Sequence, residues 1–287
     1  MDEELRWIDR TLVRRPVMVV CFNGWFDAAG AASGAARFLQ ADGPVVASID
    51  PEQFFDFTAT RPEVRLDAND ERQIVWPTHE LRAVTSDHGH DLVVLCGAEP
   101  HIRWRTFARL IASAAAELEC PVVVSVGAVP DAVPHTRQPV VFGSSTNEGL
   151  ARRLGLSRPQ YQGVTGVVGV LHDQLDRCSI PAVALRVGVA HYALAMRHPA
   201  ASLALVQHVA HVTGASIDVR GLQDEATEWR VRHDEALNAA DLAVRLHVAA
   251  LEREFDLRRE ASLPTPDDLA AQFEAFLFEQ RGDDGTA

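Results

Sequence analysis

The chain has 287 residues, 47% of them hydrophobic and 23% charged, enough apolar material for a sizeable globular core. Its formal charge of −13 excludes the basic face that nucleic acids require, and no apolar run reaches the roughly 18–20 residues that span a bilayer. All 27 basic residues are arginine, so a P-loop lysine, a kinase strand lysine and Schiff-base chemistry are excluded as well.

The acidic start Met1-Asp2-Glu3-Glu4 lacks the basic region of a secretory signal, so a cytoplasmic protein is expected. Short apolar runs bounded by Gly, Pro or Asp predict strands at Pro16–Phe22, Pro44–Ile49, Asp91–Cys96, Pro121–Val126, Pro139–Phe142 and Pro181–Val187. Val64–Leu66 and Arg72–Val75 flank Asp67-Ala68-Asn69-Asp70 and read as a hairpin. Helical periodicity covers about Ala28–Gln40, Arg103–Leu118, Thr146–Leu154, Val167–Arg177 and Pro199–Val212. Buried strands alternating with helices predict an α/β protein with a mainly parallel or mixed sheet covered on both faces.

After Gly214 the pattern changes. Leu222, Ala226, Trp229, Leu237, Ala240, Val244, Val248, Leu251 and Phe255 recur at helical spacing and predict one stripe of a long helix. A last helix is expected from Thr265-Pro266-Asp267-Asp268, where threonine caps and proline takes the first turn, with Leu269, Phe273, Phe276 and Leu277 on one face. From Asp218 onward there are 17 acidic residues against 8 arginines, a local charge of −9. The expected organisation is an α/β core over 1–217 and an acidic helical region over 218–287.

Cys21, Cys96, Cys120 and Cys178 are widely spaced, form no C-x-x-C pair and are read as core thiols. The twelve histidines include His88/His90 in a polar loop and His208/His211 on a helix, without a converging third ligand. No metal and no cofactor are expected, and His208, among Val and Ala, is read as a satisfied buried or boundary imidazole. No G-x-S-x-G elbow is present, and no catalytic set is assigned.

Two loops lie where strands of an α/β sheet present ligands. The first is Asn23-Gly24-Trp25-Phe26-Asp27-Ala28-Ala29-Gly30. Its glycines and the following helix N-terminus suit an anion, but Asp27 would fill that place itself, and Asp27 as helix cap with Trp25 packed is the plainer reading. The second is Gly97-Ala98-Glu99-Pro100-His101-Ile102-Arg103-Trp104-Arg105, where Glu99, His101 and Arg103 could hold a carboxylate or phosphate or move a proton. Its plainer reading is a capped helix start with an ion pair at the rim. Asn23, Gly24, Trp25, Asp27, Glu99, His101 and Arg103 are therefore the candidate ligand-binding residues. Gly163-Val164-Thr165-Gly166 is read as a place of close helix approach.

Taken in order, the Gly24–Gly30 block, Asp50-Pro51-Glu52-Gln53-Phe54-Phe55-Asp56-Phe57 with Arg61-Pro62, the Gly97–Trp104 block and Gly163-x-x-Gly166 resemble the PAC2 family of proteasome assembly chaperone type, in its actinobacterial form. The likeness runs from about Arg15 to Val187. It implies a three-layer α/β/α core similar to the phosphorylase/hydrolase-like fold, and a homo-oligomer, for which a trimer is the expected count. It implies a non-enzymatic assembly chaperone or protein-binding module, with proteasome subunits as candidate partners. The alternative is a small-molecule binder or phosphorylase-like enzyme using the pocket between Asn23–Asp27 and Glu99–Arg105. The chain ends Gly285-Thr286-Ala287, unlike the hydrophobic-Tyr-any tail of archaeal proteasome-binding members.

Overall fold

A computed structural model describes residues 4–262. The expected helix from Thr265 lies outside the described residues. The chain divides into two compact units with the boundary after Glu235.

In the first unit the strands are β1 (Leu5–Trp7), β2 (Val17–Asn23), β3 (Val45–Ile49), β4 (Glu63–Leu66), β5 (Arg72–Val75), β6 (His79–Val84), β7 (Leu92–Ala98), β8 (Val123–Asp131), β9 (Val141–Ser144) and β10 (Ala182–Ala190). The helices are α1 (Ala31–Gln40), α2 (Trp104–Glu117), α3 (Glu148–Leu154), α4 (Val167–Arg177), α5 (Pro199–Thr213) and α6 (Arg220–Ala239), which runs past the boundary. Eight strands form one sheet in the order β1-β3-β6-β7-β2-β8-β10-β9. The central pairs β7·β2, β2·β8 and β8·β10 are parallel, and the flanking pairs are antiparallel.

Helices cover both faces. Met18, Val20, Phe22 and Leu95 point toward α2 and α4, packing with Phe107, Ile111, Leu171 and Leu175. The alternate residues Val17, Val19, Cys21 and Val94 point to the other face with Ala32, Ala35 of α1 and Leu205, Val209 of α5. This period-two division explains why β2 reads as continuously apolar: both of its faces are buried. Cys178 departs from the core-thiol expectation, since it is exposed at the end of α4.

β6 and β1 escaped the sequence reading. β6 has the sequence HELRAV, whose strict alternation of buried and half-buried positions belongs to an antiparallel strand, and Glu80 and Arg82 pair at 2.5 Å on its wetter face. The hairpin β4–β5 forms as expected, with the Asp67 carboxylate accepting from the backbone of Asn69 and Glu71 to close the turn.

The expected single long helix is two helices, α6 and α7 (Leu242–Ser262). The break falls at Ala240–Asp241, where Asp241 accepts from the backbone N–H of Val244 at 2.9 Å and starts a new helix as its cap. Leu222, Ala226 and Trp229 of the stripe are buried in α6, and Val248, Leu251 and Phe255 in α7. Among the described residues no helix is long and apolar enough to cross a membrane.

His79 opens β6 inside an aromatic box of Phe22, Phe55 and Phe107. Its Nε2 lies 2.7 Å from the Ala98 carbonyl, which fixes the proton on Nε2. Burial pushes its pKa down from 6.5 to about 4. Burial does the same to His172, helped by Arg186, and to His198, both also to about 4. These imidazoles are neutral when folded, so below about pH 6.5 the unfolded chain binds protons that the native chain refuses. Stability is therefore complete above that pH and falls as the pH drops toward 4. Denaturant titrations at descending pH should show this loss, and His79→Leu should make the acid slope shallower by about 1.4 kcal/mol per pH unit. An unchanged slope in the variant would place the acid sensitivity elsewhere.

Candidate functional site

β2 and β7 run parallel in register up to Asn23 and Ala98, so the two candidate loops leave the sheet side by side. Glu99 donates its backbone N–H to the Asn23 carbonyl at 3.0 Å, which continues the pairing one step past the strand. Its side chain then turns across the sheet to α4. Oε1 accepts from the backbone N–H of Val167, the first residue of that helix, at 2.8 Å. A carboxylate here satisfies a helix N–H that has no partner within the helix and complements the dipole of α4.

Two glycines make room for it. A Cβ on Gly166 would lie 2.8 Å from Glu99 Oε1, and one on Gly24 would lie 3.1 Å from Oε2. Gly24 also has φ +147°, a conformation that strains any other residue. The close approach expected of the Gly163–Gly166 segment is thus real, but what approaches Gly166 is a carboxylate rather than a neighbouring backbone.

Asp27 acts as a cap, though further along than its position suggests. The backbone makes a turn through Ala29 and the left-handed Gly30 before α1 begins, and Asp27 Oδ1 accepts from Ser33 N at 2.9 Å, the third N–H of that helix. The same loop is pinned to β8 by Ala128 N donating to Phe26 O at 2.7 Å. Asn23 and Trp25 are exposed, Trp25 at 61%, with its ring stacked on Phe26.

His101 and Arg103 face the other way. His101 Nδ1 accepts from Asp56 N at 3.0 Å, and Nε2 lies 3.3 Å from Thr60 Oγ1, so the imidazole ties down the Phe54–Thr60 segment. Arg103 bonds to Glu4 at 2.9 Å and to Gln53, above the ring of Phe54. The structure therefore brings Asn23, Gly24, Asp27 and Glu99 around one junction, and sends His101 and Arg103 to the Asp50–Thr60 segment and the N-terminal strand.

Among the described residues no three His, Cys, Asp or Glu side chains are grouped to hold a metal. His208 departs from its expectation: it is exposed on α5, with Nδ1 at 2.8 Å from the Ala204 carbonyl. A cleft of about 640 Å³ opens elsewhere, between α5 and α6, with Arg137, His208, Gln223, Arg230 and Asp234 at its walls. None of the seven candidate residues lines it.

Sequence reading missed a polar group on the α4 face of the sheet. Ser125 of β8 and His172 of α4 pair at 2.8 Å, and Arg186 of β10 lies 5.6 Å above the ring of Phe26. Ser125 is buried, which denies a substrate access to its hydroxyl, so the pair reads as a satisfied polar contact between helix and sheet. Each of these residues sits singly within an apolar run, and no spacing rule joins residues 47 or more positions apart.

Removing the Glu99 carboxylate leaves Val167 N–H unpaired at a half-buried junction. Glu99→Ala should cost about 1–3 kcal/mol in urea unfolding, and Glu99→Gln, which keeps an acceptor oxygen, clearly less. Equal losses in both variants would mean that charge rather than hydrogen bonding holds the junction.

No curated protein matches the chain. Among solved structures, a PAC2 family protein from Streptomyces avermitilis is 37% identical, covering 81% of this chain and 99% of that one with a TM-score of 0.74. A Mycobacterium tuberculosis proteasome-assembly chaperone homologue is 32% identical over 81% and 99% of the two chains, with a TM-score of 0.71. An archaeal proteasome activator from Pyrococcus furiosus, 14% identical with a TM-score of 0.60 over 81% and 97%, shares the fold. The PAC2 family profile matches residues 21–237, a span that contains all four sequence blocks and the Glu99 junction, and the chain belongs to the PAC2 family.

Proposed function

We propose that this chain is a non-enzymatic, homo-oligomeric protein-binding module of assembly-chaperone type, located in the cytoplasm, with proteasome subunits as candidate partners. The observation that carries this reading is the β4–β5 hairpin. Every one of its eight strand residues is exposed, and it forms a sheet of its own. Its pairing puts Val64 opposite Ile74, with Leu66 on the same face, and the three are 53%, 56% and 65% exposed. An isolated two-stranded hairpin is marginally stable in water, and an apolar face on one asks for a protein surface.

Two further points agree. The polar side chains of the shared blocks are engaged in holding the chain: Glu99 on α4, Asp27 on α1, His101 and Arg103 on the Asp50–Thr60 segment. The Mycobacterium relative at 32% identity is described as a proteasome-assembly chaperone homologue. The acidic helical region from residue 218 serves in this reading as a separate module for assembly, with three subunits as the expected count.

Light scattering of the purified chain should then give three times its 31.4 kDa mass, and Leu66→Asp with Ile74→Asp should lower that mass while leaving the far-ultraviolet circular dichroism unchanged. Proteasome α subunits from an actinobacterium should be retained on the immobilised chain, and less on the double variant. A monomer that retains no proteasome subunit would refute the proposal.

A further inference from the structure

Arg186 lies on β10 between Gly127 of β8 and Phe142 of β9, its register partners on either side. Its guanidinium lies over the ring of Phe26, and Phe142, opposite it on the edge strand, is 44% exposed. The residue is half-buried. Among the described residues no carboxylate forms an ion pair with its guanidinium and no side-chain hydrogen bond reaches it; the contact with Phe26 is the guanidinium's one polar interaction besides the field of His172. Of the acids in the blocks around Phe26, Glu99 is spent on Val167 N and Asp27 on Ser33 N. His172 is already held neutral and paired with Ser125, so it offers no negative charge.

Taking a guanidinium out of water without an anion is unfavourable, and the ring beneath it returns only part of that cost. Burial accordingly draws its pKa below the usual arginine value. Arg186 itself sits in the middle of β10, but its guanidinium reaches Phe26, in the loop beyond the carboxyl end of the central parallel strand β2, where an α/β sheet receives ligands. We propose that Arg186, flanked by Phe26 and Phe142, is the receptor for a carboxylate group on an apolar carrier. One planar fork of donors fits one carboxylate in bidentate fashion. A single positive charge also balances a monoanion, whereas a phosphate dianion would bring excess charge to a chain that already carries −13.

Benzoate is the probe, because its ring matches the aromatic walls. The full-length chain is titrated through the millimolar range at constant ionic strength while the arginine Nε–Hε signals are followed by NMR. One signal moves saturably with benzoate, is absent in Arg186→Met, and stays still with sodium chloride; Arg186→Lys weakens binding about tenfold because it keeps the charge but loses the fork. Inorganic phosphate at the same ionic strength binds at least about tenfold more weakly. Without benzoate, Arg186→Met melts no lower than the parent chain, since the arginine gives up no ion pair and the methionine still packs on Phe26; adding benzoate raises the melting temperature of the parent alone. No saturable shift, binding retained by Arg186→Met, or phosphate binding as tightly as benzoate would each overturn the proposal. A melting temperature of Arg186→Met well below the parent's, or failure of that variant to fold, would do so too by making the arginine structural.

Discussion

A carboxylate at the place where three chain segments converge sets the layout of the candidate site. Glu99 leaves the end of β7, and its side chain crosses to the start of α4, where a Cβ at Gly166 or Gly24 would crowd the carboxylate and push it from its place. The bond to Val167 N fixes where α4 begins, and α4 in turn supplies Leu171 and Leu175 to one face of the core and His172 to Ser125. The loop holding Gly24 is pinned to β8 through Phe26 and capped onto α1 through Asp27. Two acidic side chains, Glu99 on α4 and Asp27 on α1, thereby tie both layers of helices to the middle of the sheet. Glu99, Asp27, His101 and Arg103, which look like binding groups in the sequence, are engaged in holding chain segments together.

The fold holds two unlike solutions to burying polarity. His79, His172 and His198 are neutral and partnered at one nitrogen or more, which is an inexpensive way to keep imidazole in a core at neutral pH. Arg186 has no neutral form within reach and so stays charged, balanced among the described residues only by an aromatic face. The contrast is informative because both kinds of group sit in one fold under one solvent. The histidines limit stability in acid, while the arginine marks a position where compensation comes from outside the fold.

The hairpin and the C-terminal helices carry a different message from the sheet. Every strand of the large sheet has a neighbour, and its two edges, β1 and β9, are only three and four residues long. Among the described residues β4–β5 has no such neighbour, and it shows apolar side chains to water. α7 carries the buried Val248, Leu251 and Phe255 and the exposed Leu242, Leu246 and Leu257. Exposed apolar surface of this extent, outside a well-packed core, agrees with a protein that works through contacts with other chains.

The sequence by itself determined the fold class, most of the elements and the family. Those features rest on local signals: apolar runs buried on both faces mark the parallel strands, helical periodicity marks the covering helices, and the blocks around Gly24, Asp50, Gly97 and Gly163 stand in fixed order. It missed β6, because alternation with Glu80 and Arg82 resembles a polar loop until a partner strand is present, and it ran two helices together, because Asp241 fits a helical surface as well as a cap. Only the tertiary structure decided which polar residues meet. Glu99 and Val167 are 68 positions apart, and Ser125 and His172 are 47 apart. Sequence spacing constrains neighbours within a turn or a strand, but across such distances the sheet order and the direction each strand presents its side chains choose the partner. His101 and Arg103, two and four residues from Glu99, therefore turn away to the Asp50–Thr60 segment, while Arg186, in an unremarkable apolar strand, is left half-buried over Phe26 with no acid paired to it among the described residues.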